Sequence, residues 1–352
     1  VQNDFLDIDY SNEWKNLNFG SGFSQTKIGS SVTSTPLNQL VQPCKNLVSL
    51  GGKRWRPLFM VLCCEAEVES AQNKNAIELA YKMTPIVEMV HTASLIHDDI
   101  EDGADTRRGK PSAHIVYGLD TAINAASWLY FSAFSVIEKN CTKENFGDEI
   151  TACKMKNQFY ALLSEQLRRL HLGQAMDIYW HKNPSVIPSQ SEYSSMVRMK
   201  TGTLASLASQ AGILCALGDV QKQMQIAQIA ENIGEGFQIL DDIINITFGN
   251  VGKKRGDDIV EGKKSLPVIF HLEEKKSDEK ILLDCFNQAS KEGIESPSVE
   301  KAIEILHSSN CIEKAKNYAQ NLIESSCSNV KQLWNNNDSS LQIEQLFMSM
   351  LG

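Results

Sequence analysis

The chain has 352 residues, of which 42% are hydrophobic and 22% charged, and its formal net charge is −9 at pH 7. Nucleic acid is excluded as a main partner, because an acidic chain without a generally basic surface does not attract a phosphate backbone. A transmembrane helix is not expected either, since Asn124, Ser127 and Ser132 interrupt the best apolar run before it reaches about eighteen residues.

Residues 1–36 are polar, rich in Ser, Thr and Asn, and weakly periodic, which predicts a partly disordered N-terminal extension. Residues 37–352 contain no evident linker and are predicted to form a single domain. The nine cysteines are odd in number and lack framework spacing, which indicates a reducing compartment, so a cytoplasmic location is expected. Because the chain begins with Val1 and not with Met, removal of a presequence, and with it an organellar location, stays open.

Apolar residues recur at three- and four-residue spacing through most of the remaining chain, as is typical of amphipathic helices. No alternating strand pattern occurs, and Gly and Pro cluster between the periodic segments. Residues 296–352 predict further helices, with an Asn-rich loop before a short terminal one. The pattern predicts an all-α fold whose main helical segments cover residues 75–97, 122–138, 148–172, 192–217 and 221–244.

Two acidic pentads, DDIED at 98–102 and DDIIN at 241–245, each follow an apolar helical segment. Residues four apart share a helix face, so Asp98 and Asp102 project together with Asp99 beside them, and the second pentad repeats this layout. Two facing carboxylate clusters repel each other unless cations lie between them, and oxygen ligands select hard ions such as magnesium. One pentad alone would more often be a solvated helix face, but the pair predicts a diphosphate site that works through magnesium.

Basic residues fall into three groups that complement the acidic pentads. GGKRWRP at 51–57 places three cations after paired glycines, which let the backbone approach an anion closely. RRG at 107–109 follows the first pentad, and Lys200, Lys253 and Lys263 are spread through the second half. Arginine suits bidentate contact with phosphate, whereas lysine supplies point charge. These groups predict an anionic substrate.

In this order, GGKRWRP, LIHDDIEDGADTRRGKPSAH, GQAMDIYW, KTG and FQILDDIIN resemble the trans-isoprenyl diphosphate synthases over roughly Leu37 to His271. The AH..YG stretch at 113–118 and the DDxxN form of the second motif are most similar to the eukaryotic-type geranylgeranyl diphosphate synthases. The resemblance implies the isoprenoid-synthase helical bundle around a central cavity, homodimerisation, and up to three Mg²⁺ ions per active site. It also implies a prenyltransferase that joins isopentenyl diphosphate to dimethylallyl, geranyl or farnesyl diphosphate by ionisation, condensation and elimination.

The resemblance further implies a role for each motif residue. Gln174 and Asp177 orient or support both sites, and Asn245 is expected to ligate magnesium more weakly than a carboxylate would. The expected metal ligands are Asp98, Asp99, Asp102 and Asp241, with Asp242 in support. The residues expected to bind the allylic diphosphate are Arg107, Lys200, Thr201, Gln238, Lys253 and Lys263. The residues expected to bind isopentenyl diphosphate are Lys53, Arg56, His91 and Arg108. The catalytic set is Asp98, Asp99, Asp102, Asp241, Asp242, Lys200, Thr201 and Gln238.

Four residues in or near these motifs have a plainer interpretation. His91 on an apolar helix face would ordinarily be a core histidine, although its motif favours contact with substrate. His97, next to Asp98, is expected either to support the neighbouring site residues or to be structural. Asp257 and Asp258 form either a surface turn or, for Asp258, a partner of Lys263 or a ligand that reaches metal through water.

Product length is expected to depend on an apolar tunnel below the first pentad. Ala93, five residues before Asp98, replaces the aromatic plug that is typical of short-chain farnesyl synthases. Tyr130, Phe131 and His171 match positions where the geranylgeranyl subgroup places bulky residues at the tunnel end, although ordinary helix core is the alternative. Geranylgeranyl diphosphate is therefore the expected main product, and a longer polyprenyl diphosphate is the alternative.

Three other classes of protein fit the motifs less well. A terpene cyclase uses a similar metal site but has no need of the cations assigned to isopentenyl diphosphate. A non-catalytic regulatory subunit would normally lose an acidic motif, and a head-to-head coupling enzyme such as squalene synthase would lack GGKRWRP. The intact motifs favour a prenyltransferase, and condensation of labelled isopentenyl diphosphate with farnesyl diphosphate separates the four classes.

Overall fold

A computed structural model of the chain describes residues 35–68, 74–249 and 254–351. These residues fold almost entirely as helices, together with one short two-stranded hairpin, which confirms the predicted all-α class. Most of the predicted N-terminal extension lies outside the described residues. The first helix among the described residues, Thr35–Ser49, includes the last two residues of that extension.

The first half of the described chain contains eight helices and the hairpin: α1 (Thr35–Ser49), α2 (Trp55–Glu67), α3 (Lys74–Met83), α4 (Pro85–Glu101), β1 (Thr106–Arg107), β2 (Lys110–Pro111), α5 (Ala113–Tyr117), α6 (Leu119–Asn140), α7 (Lys143–Phe146) and α8 (Glu149–Lys182). The second half contains α9 (Gln190–Val197), a π-helical turn (Arg198–Gly202), α10 (Thr203–Cys215), α11 (Val220–Thr247), α12 (Asp257–Glu261), α13 (Leu266–Glu274), a 3₁₀ turn (Lys276–Asp278), α14 (Glu279–Glu292), α15 (Pro297–His307), α16 (Cys311–Leu333) and α17 (Asp338–Met348).

Local chemistry explains where several of these helices begin. The segment predicted as one helix over 75–97 is interrupted at Thr84, because Pro85 has no N–H and is best accommodated in the first turn of a new helix. Asp148 starts α8 by accepting hydrogen bonds from the backbone N–H groups of Ile150 and Thr151, both at 2.9 Å. The motif helices α4 and α8 therefore have defined starting points.

The RRG motif, which follows the first pentad, forms part of a β-hairpin and its turn. Thr106 pairs with Pro111 and Arg107 pairs with Lys110 in an antiparallel register. Arg108 and Gly109 adopt left-handed backbone conformations, with φ of 54° and 73°. Such a turn lets two consecutive arginine side chains leave the hairpin in different directions, which matters for the site described below.

Two buried hydrophobic clusters share the long helix α11. The larger one contains residues of α1 to α4, α6, α8 and α10 with the first half of α11, and the other joins its second half to α13, α14, α15 and α16. The terminal helix α17 completes the larger cluster, because Phe347 contacts the rings of Trp55 and Phe59 at centroid distances of 5.5 and 5.0 Å. Within the described ranges, no helix is both long enough and apolar enough to cross a membrane.

Candidate active site

A cavity of about 830 Å³ lies between the two acidic pentads and the basic motifs. Its walls come from α2, α4, the hairpin, α6, α8, the π-helical turn and α11, so residues far apart in sequence meet here. The residues with predicted roles that line it are Lys53, Arg56, His91, Asp98, Arg107, Arg108, Tyr130, His171, Gln174, Lys200, Thr201, Gln238, Asp241, Asp242, Asn245, Asp258 and Lys263.

A few residues with predicted roles lie elsewhere. Ala93 is fully buried in the core, one turn of α4 before His97. The prediction that Phe131 lies at the tunnel end is wrong, because Phe131 is 74% exposed and does not line the cavity. Consecutive helix residues project about 100° apart, so only Tyr130 of this pair faces inward. Lys253 lies outside the described residues.

The first pentad forms the last turn of α4, where its carboxylates contact the cations of other motifs. Asp98 contacts Arg107 Nη2 at 3.4 Å and Lys200 Nζ at 3.1 Å. Asp99 accepts a hydrogen bond from Arg107 Nε at 2.7 Å, and Asp102 Oδ2 accepts one from Lys263 Nζ at 3.2 Å. The first acidic motif is therefore already joined to the residues predicted to bind a diphosphate.

Burial and charge act in opposite directions on these carboxylates. Burial disfavours ionised Asp98, but Lys200, Lys263 and Arg107 together lower its pKa below the ordinary value. Burial raises the pKa of Asp102, and the Lys263 ammonium offsets only part of that effect. The other carboxylate oxygen of Asp102, Oδ1, is buried and accepts no hydrogen bond. Such an oxygen is a suitable ligand for a hard cation.

The π-helical turn carries Lys200 and Thr201 into the cavity. Lys200 Nζ donates to Asp177 Oδ2 at 2.6 Å and also contacts Asp98. Although burial disfavours the ammonium, these two carboxylates raise its pKa, so Lys200 is charged. Thr201 Oγ1 donates to Gln238 Oε1 at 2.9 Å, and Gln238 Nε2 donates to Asp242 Oδ1 at 2.9 Å. Lys200 is thereby linked to the first acidic motif and Thr201 to the second.

The second pentad lies on α11 and differs electrostatically from the first. Asp242 accepts a hydrogen bond from Tyr193 OH at 2.7 Å. Burial, with the nearby Asp258 carboxylate as the next cause, raises the pKa of Asp242 to about 7. Tyr193 lies on α9, 49 residues away in sequence, and no motif marked it as part of the site.

Asn245 has a structural partner. Its Oδ1 accepts a hydrogen bond from the backbone N–H of Asp258 at 3.1 Å, and its carbonyl oxygen accepts one from the N–H of Gly256 at 2.9 Å. The amide therefore fastens the segment before Lys263 to α11. A carboxylate here would add another buried charge beside Asp242 and Asp258, which gives a physical reason for the amide.

The opposite wall of the cavity has an excess of positive charge. Arg56 is half-buried, and its Nε atom is buried without a hydrogen-bond partner. Desolvation, followed by the charge of Arg108, lowers the pKa of Arg56 to about 10. Burial, followed by the charges of Arg56 and Arg108, lowers the pKa of His91 well below its ordinary value, so the imidazole is neutral. Half-buried cations without matching carboxylates indicate a site for an anion.

Close backbone packing holds this basic wall in place. Arg108 Nη1 donates to the carbonyl oxygen of Gly51, and a Cβ at Gly52 would lie only 3.1 Å from Arg108 Nη2. Arg54, to which the sequence gave no separate role, pairs with the buried Glu88 and donates to Val48 O at 2.7 Å. Glu88 was not identified from the sequence, although a glutamate within an apolar helical segment, three residues before His91, is a signal for a buried acid that needs a cation as partner.

Aromatic rings form another part of the cavity wall. Tyr130 is 5.6 Å from the ring of His97 and 5.3 Å from that of His171, measured between centroids. Of these three residues, His97 was expected to support the site or to be structural, and it lines the cavity. The stack lies beside the first pentad, because His97 directly precedes Asp98.

Comparison with known proteins identifies the class. A sequence model of the polyprenyl synthetase family matches residues 37–306. A short chain isoprenyl diphosphate synthase from Methanocaldococcus jannaschii is 34% identical over 281 residues, 79% of each chain. A geranylgeranyl diphosphate synthase from Methanosarcina mazei is 32% identical over 288 residues, 81% of each chain.

A solved structure gives the same result for the fold. The polyprenyl synthase from Caulobacter crescentus CB15, complexed with calcium and isoprenyl diphosphate, superposes with a TM-score of 0.73 at 25% identity, covering 91% of this chain and 89% of the other. The fold and the cavity thus define a trans-prenyltransferase. The chain belongs to the polyprenyl synthetase family, which confirms the resemblance stated from its motifs.

Proposed function

We propose that this chain condenses isopentenyl diphosphate with an allylic diphosphate and that its main product is geranylgeranyl diphosphate. The observation that carries the proposal is the division of one cavity into two parts. One part holds residues of both acidic motifs, with Lys200 and Lys263 paired to Asp98 and Asp102 of the first motif. The other part contains the half-buried Arg56 and Arg108, which form no ion pair with an acid among the described residues. Two diphosphates, one bound with metal and one without, need these two environments.

The allylic diphosphate is assigned to the acidic part. Asp98, Asp99, Asp102 and Asp241 would hold up to three magnesium ions, with Asp242 in support. The buried, unpaired Asp102 Oδ1 fits such a ligand set, although no three acidic, His or Cys side chains of the described residues are arranged as a metal site in this conformation. Bound magnesium would neutralise the charge that accumulates on the departing diphosphate.

Cationic side chains share that task. Arg107, Lys200 and Lys263 now contact Asp98, Asp99 and Asp102, and diphosphate oxygens would replace or extend these contacts. Lys253 is assigned to the same diphosphate from its motif position. Thr201 and Gln238 provide fixed dipoles on the π-helical turn and α11, close to where the allylic cation would form.

Isopentenyl diphosphate is assigned to the basic part. Arg56 and Arg108 supply planar groups of donors, Lys53 adds charge at the rim, and neutral His91 is able to donate one N–H. Burial of Arg56 and His91 without full hydrogen-bond partners supports a ligand there, because binding would satisfy both groups. Its double bond would then attack the allylic cation formed in the acidic part.

The product length is assigned to the aromatic stack. Tyr130, His97 and His171 bound the cavity near the first pentad, whereas the small Ala93 lies in the core beyond them. A wall of rings limits how far an apolar chain extends, which supports a product of about twenty carbons over a longer polyprenyl chain. The name of the Methanosarcina relative supports the same length.

A homodimer is proposed from one exposed face. Leu119, Ile123 and Phe131 lie four and eight residues apart on α6 and are 53%, 43% and 74% exposed, and the neighbouring Ile115 on α5 is 55% exposed. An apolar stripe of this kind on one helix face fits the same stripe of a second copy. The nine cysteines are all free, which supports a reducing location such as the cytoplasm.

The test is a condensation assay on the purified chain. Labelled isopentenyl diphosphate is supplied with farnesyl diphosphate and magnesium, and the product is dephosphorylated and sized by chromatography. Geranylgeraniol is the expected main product. Longer alcohols would favour the polyprenyl alternative, whereas cyclised hydrocarbon formed without isopentenyl diphosphate would favour a terpene cyclase.

A further inference from the structure

The helix that carries Lys200 widens into a π-helical turn at Arg198–Gly202. Such turns are rare and often occur at functional sites. Here the turn presents Lys200, which contacts Asp98 and Asp177, and Thr201, which donates to Gln238. The position of the turn therefore decides where one cation and one hydroxyl face the cavity.

Two helices press against this turn at glycines. On α8, a Cβ at Gly173 would overlap the backbone nitrogen of Lys200 and lie 2.7 Å from the carbonyl carbon of Met199. On α11, a Cβ at Gly234 would lie 2.6 Å from Cα of Gly202. These obstacles include backbone atoms, which cannot move aside as the end of a long side chain can. The π-helical turn is thus held between two backbones at a separation that only glycine permits.

The contacts on both sides belong to the acidic part of the cavity. Gly173 immediately precedes Gln174, whose Nε2 donates to Asp98 Oδ1 at 3.2 Å. Gly234 lies one helical turn before Gln238, which hydrogen-bonds with Thr201 and Asp242. The π-helical turn, which carries the KTG motif, therefore lies between α8 with the GQAMDIYW motif and α11 with the second acidic pentad.

A buried ion pair holds the start of the turn. Arg198 Nε donates to Glu235 Oε2 at 2.6 Å, and Ser194 Oγ donates to Glu235 Oε1 at 2.5 Å. Glu235 is fully buried and directly follows Gly234. Adjacent residues of α11 therefore contact the turn in two ways: Glu235 pairs with Arg198, and Gly234 packs against the backbone of Gly202. With this pair on one side and α8 on the other, the described structure leaves the turn little room to shift.

We propose that Gly173 and Gly234 are positioning residues for the allylic diphosphate site. They set the depth at which the π-helical turn presents Lys200 and Thr201 to the acidic motifs. The proposal rests on the proposed function, because it assigns both glycines to one of the two substrate sites. A methyl group at either position would displace Lys200, whereas Arg56, His91 and the hairpin, which belong to other elements, would keep their places.

The experiment compares alanine variants with a matched control on the same helix. The test variants are Gly173→Ala, Gly234→Ala and the milder Gly202→Ala, whose Cβ would lie 3.0 Å from Cα and O of Glu231. The control is Gly236→Ala, which faces α16, where its Cβ would lie 2.5 Å from Ile323 Cγ1. Each variant of the full chain is assayed for folding by circular dichroism and thermal melting, for magnesium-dependent binding of inorganic diphosphate, and for KM toward both substrates.

The test variants should bind inorganic diphosphate about tenfold more weakly and turn over about tenfold to a hundredfold more slowly, because small misplacement of a catalytic group has effects of this size. Their KM for isopentenyl diphosphate should stay within about twofold of the wild-type value. Gly236→Ala should lower the melting temperature and leave both KM values and diphosphate binding unchanged.

Three outcomes would overturn the proposal. One is unaltered diphosphate binding in Gly234→Ala, and another is an equal loss toward both substrates. The third is a Gly202→Ala variant that fails to fold while Gly236→Ala folds. The close packing of the π-helical turn between α8 and α11 would then be needed for folding and not for positioning the site. A wild-type chain that binds diphosphate but forms no prenyl product would count against the proposed function alone, so the two failures are distinguishable.

Discussion

Asp98 begins the aspartate pair of the first acidic motif and Asp242 completes that of the second, yet Asp98 is half-buried, Asp242 is buried, and their surroundings differ. Asp98 contacts Lys200 and Arg107, which lower its pKa despite burial. Asp242 accepts hydrogen bonds from the neutral donors Tyr193 and Gln238, and its pKa rises to about 7. The charge of Asp98 is thus balanced by cations, whereas ionisation of Asp242 would be favoured by added positive charge, such as metal.

Replacement of Asp98 by Ala should abolish most of the activity. Loss of about 4–5 kcal/mol of charge stabilisation in the transition state corresponds to a rate decrease of roughly 10³-fold or more. Turnover is measured with saturating magnesium, and Asp284→Ala, an exposed aspartate on α14, is the control. Near-normal turnover of a folded Asp98→Ala variant would contradict the assignment of the first motif.

Replacement of Asp242 by Asn should change the pH dependence of stability. The carboxyl pKa is 3.8 in the ordinary state and about 7 in the fold, so the folded state binds this proton more tightly than the unfolded state. Folding stability is therefore lost as pH rises from about 4 to 7, by at most about 1.4 kcal/mol per pH unit. Asp242→Asn cannot ionise and should avoid this loss.

The measurement is chemical unfolding of wild type and Asp242→Asn in EDTA at several pH values. The variant should gain stability relative to wild type between pH 4 and 7, and the difference should level off above that range. A difference that does not vary with pH would show that Asp242 ionises normally in the fold.

At the scale of elements, α6 presents two adjacent aromatic residues to different surroundings. Tyr130 is buried against His97 and His171, whereas Phe131 is largely exposed. Tyr130→Ala should therefore lengthen the product by at least one isoprene unit, because it removes part of the cavity wall. Phe131→Ala should leave product length unchanged. Chromatography of the dephosphorylated products checks both, and the reverse pattern would restore the original prediction for Phe131.

The two proposed diphosphate sites are formed by residues of different elements, so substitutions should affect one site without the other. Lys53 and Arg56 lie before and within the first turn of α2, and Lys200 lies on the π-helical turn. Lys53→Ala and Arg56→Ala should raise KM for isopentenyl diphosphate, with the dependence on magnesium little changed. Lys200→Ala should instead slow ionisation of the allylic substrate, which is followed by release of diphosphate in single-turnover experiments. Defects of all three variants toward one substrate would contradict the division.

At the scale of the whole molecule, the exposed stripe on α6 should decide the assembly state. Phe131→Glu places a charge on the proposed contact between two copies, where an unpaired buried charge is costly. The variant should elute as a monomer, whereas wild type should elute as a dimer, and light scattering measures both masses. Tyr81→Glu, a charge at an exposed position on α3, serves as the control. A monomeric wild-type protein would contradict the proposed dimer.

Much of the fold class and the main motifs followed from the sequence, because helical periodicity and motif spacing are local properties. The carboxylates of each pentad share a helical turn, so their proximity needs no tertiary information. The break at Pro85 and the hairpin at RRG were not anticipated, although Pro85 has a local cause. The prediction that the side chain of Phe131 faces the cavity was also wrong. Neighbouring helix residues project in directions about 100° apart, and only packing decides which of them faces inward.

Tertiary structure decided the contacts between distant residues. Tyr193 and Asp242 are 49 residues apart, Gln174 and Asp98 are 76 apart, and Lys263 and Asp102 are 161 apart. The sequence determined an all-helical chain with two acidic motifs and three basic groups. Which cation meets which carboxylate, and that Asn245 fastens a loop, depended on how the helices cross, because those distances are set by packing and not by spacing along the chain.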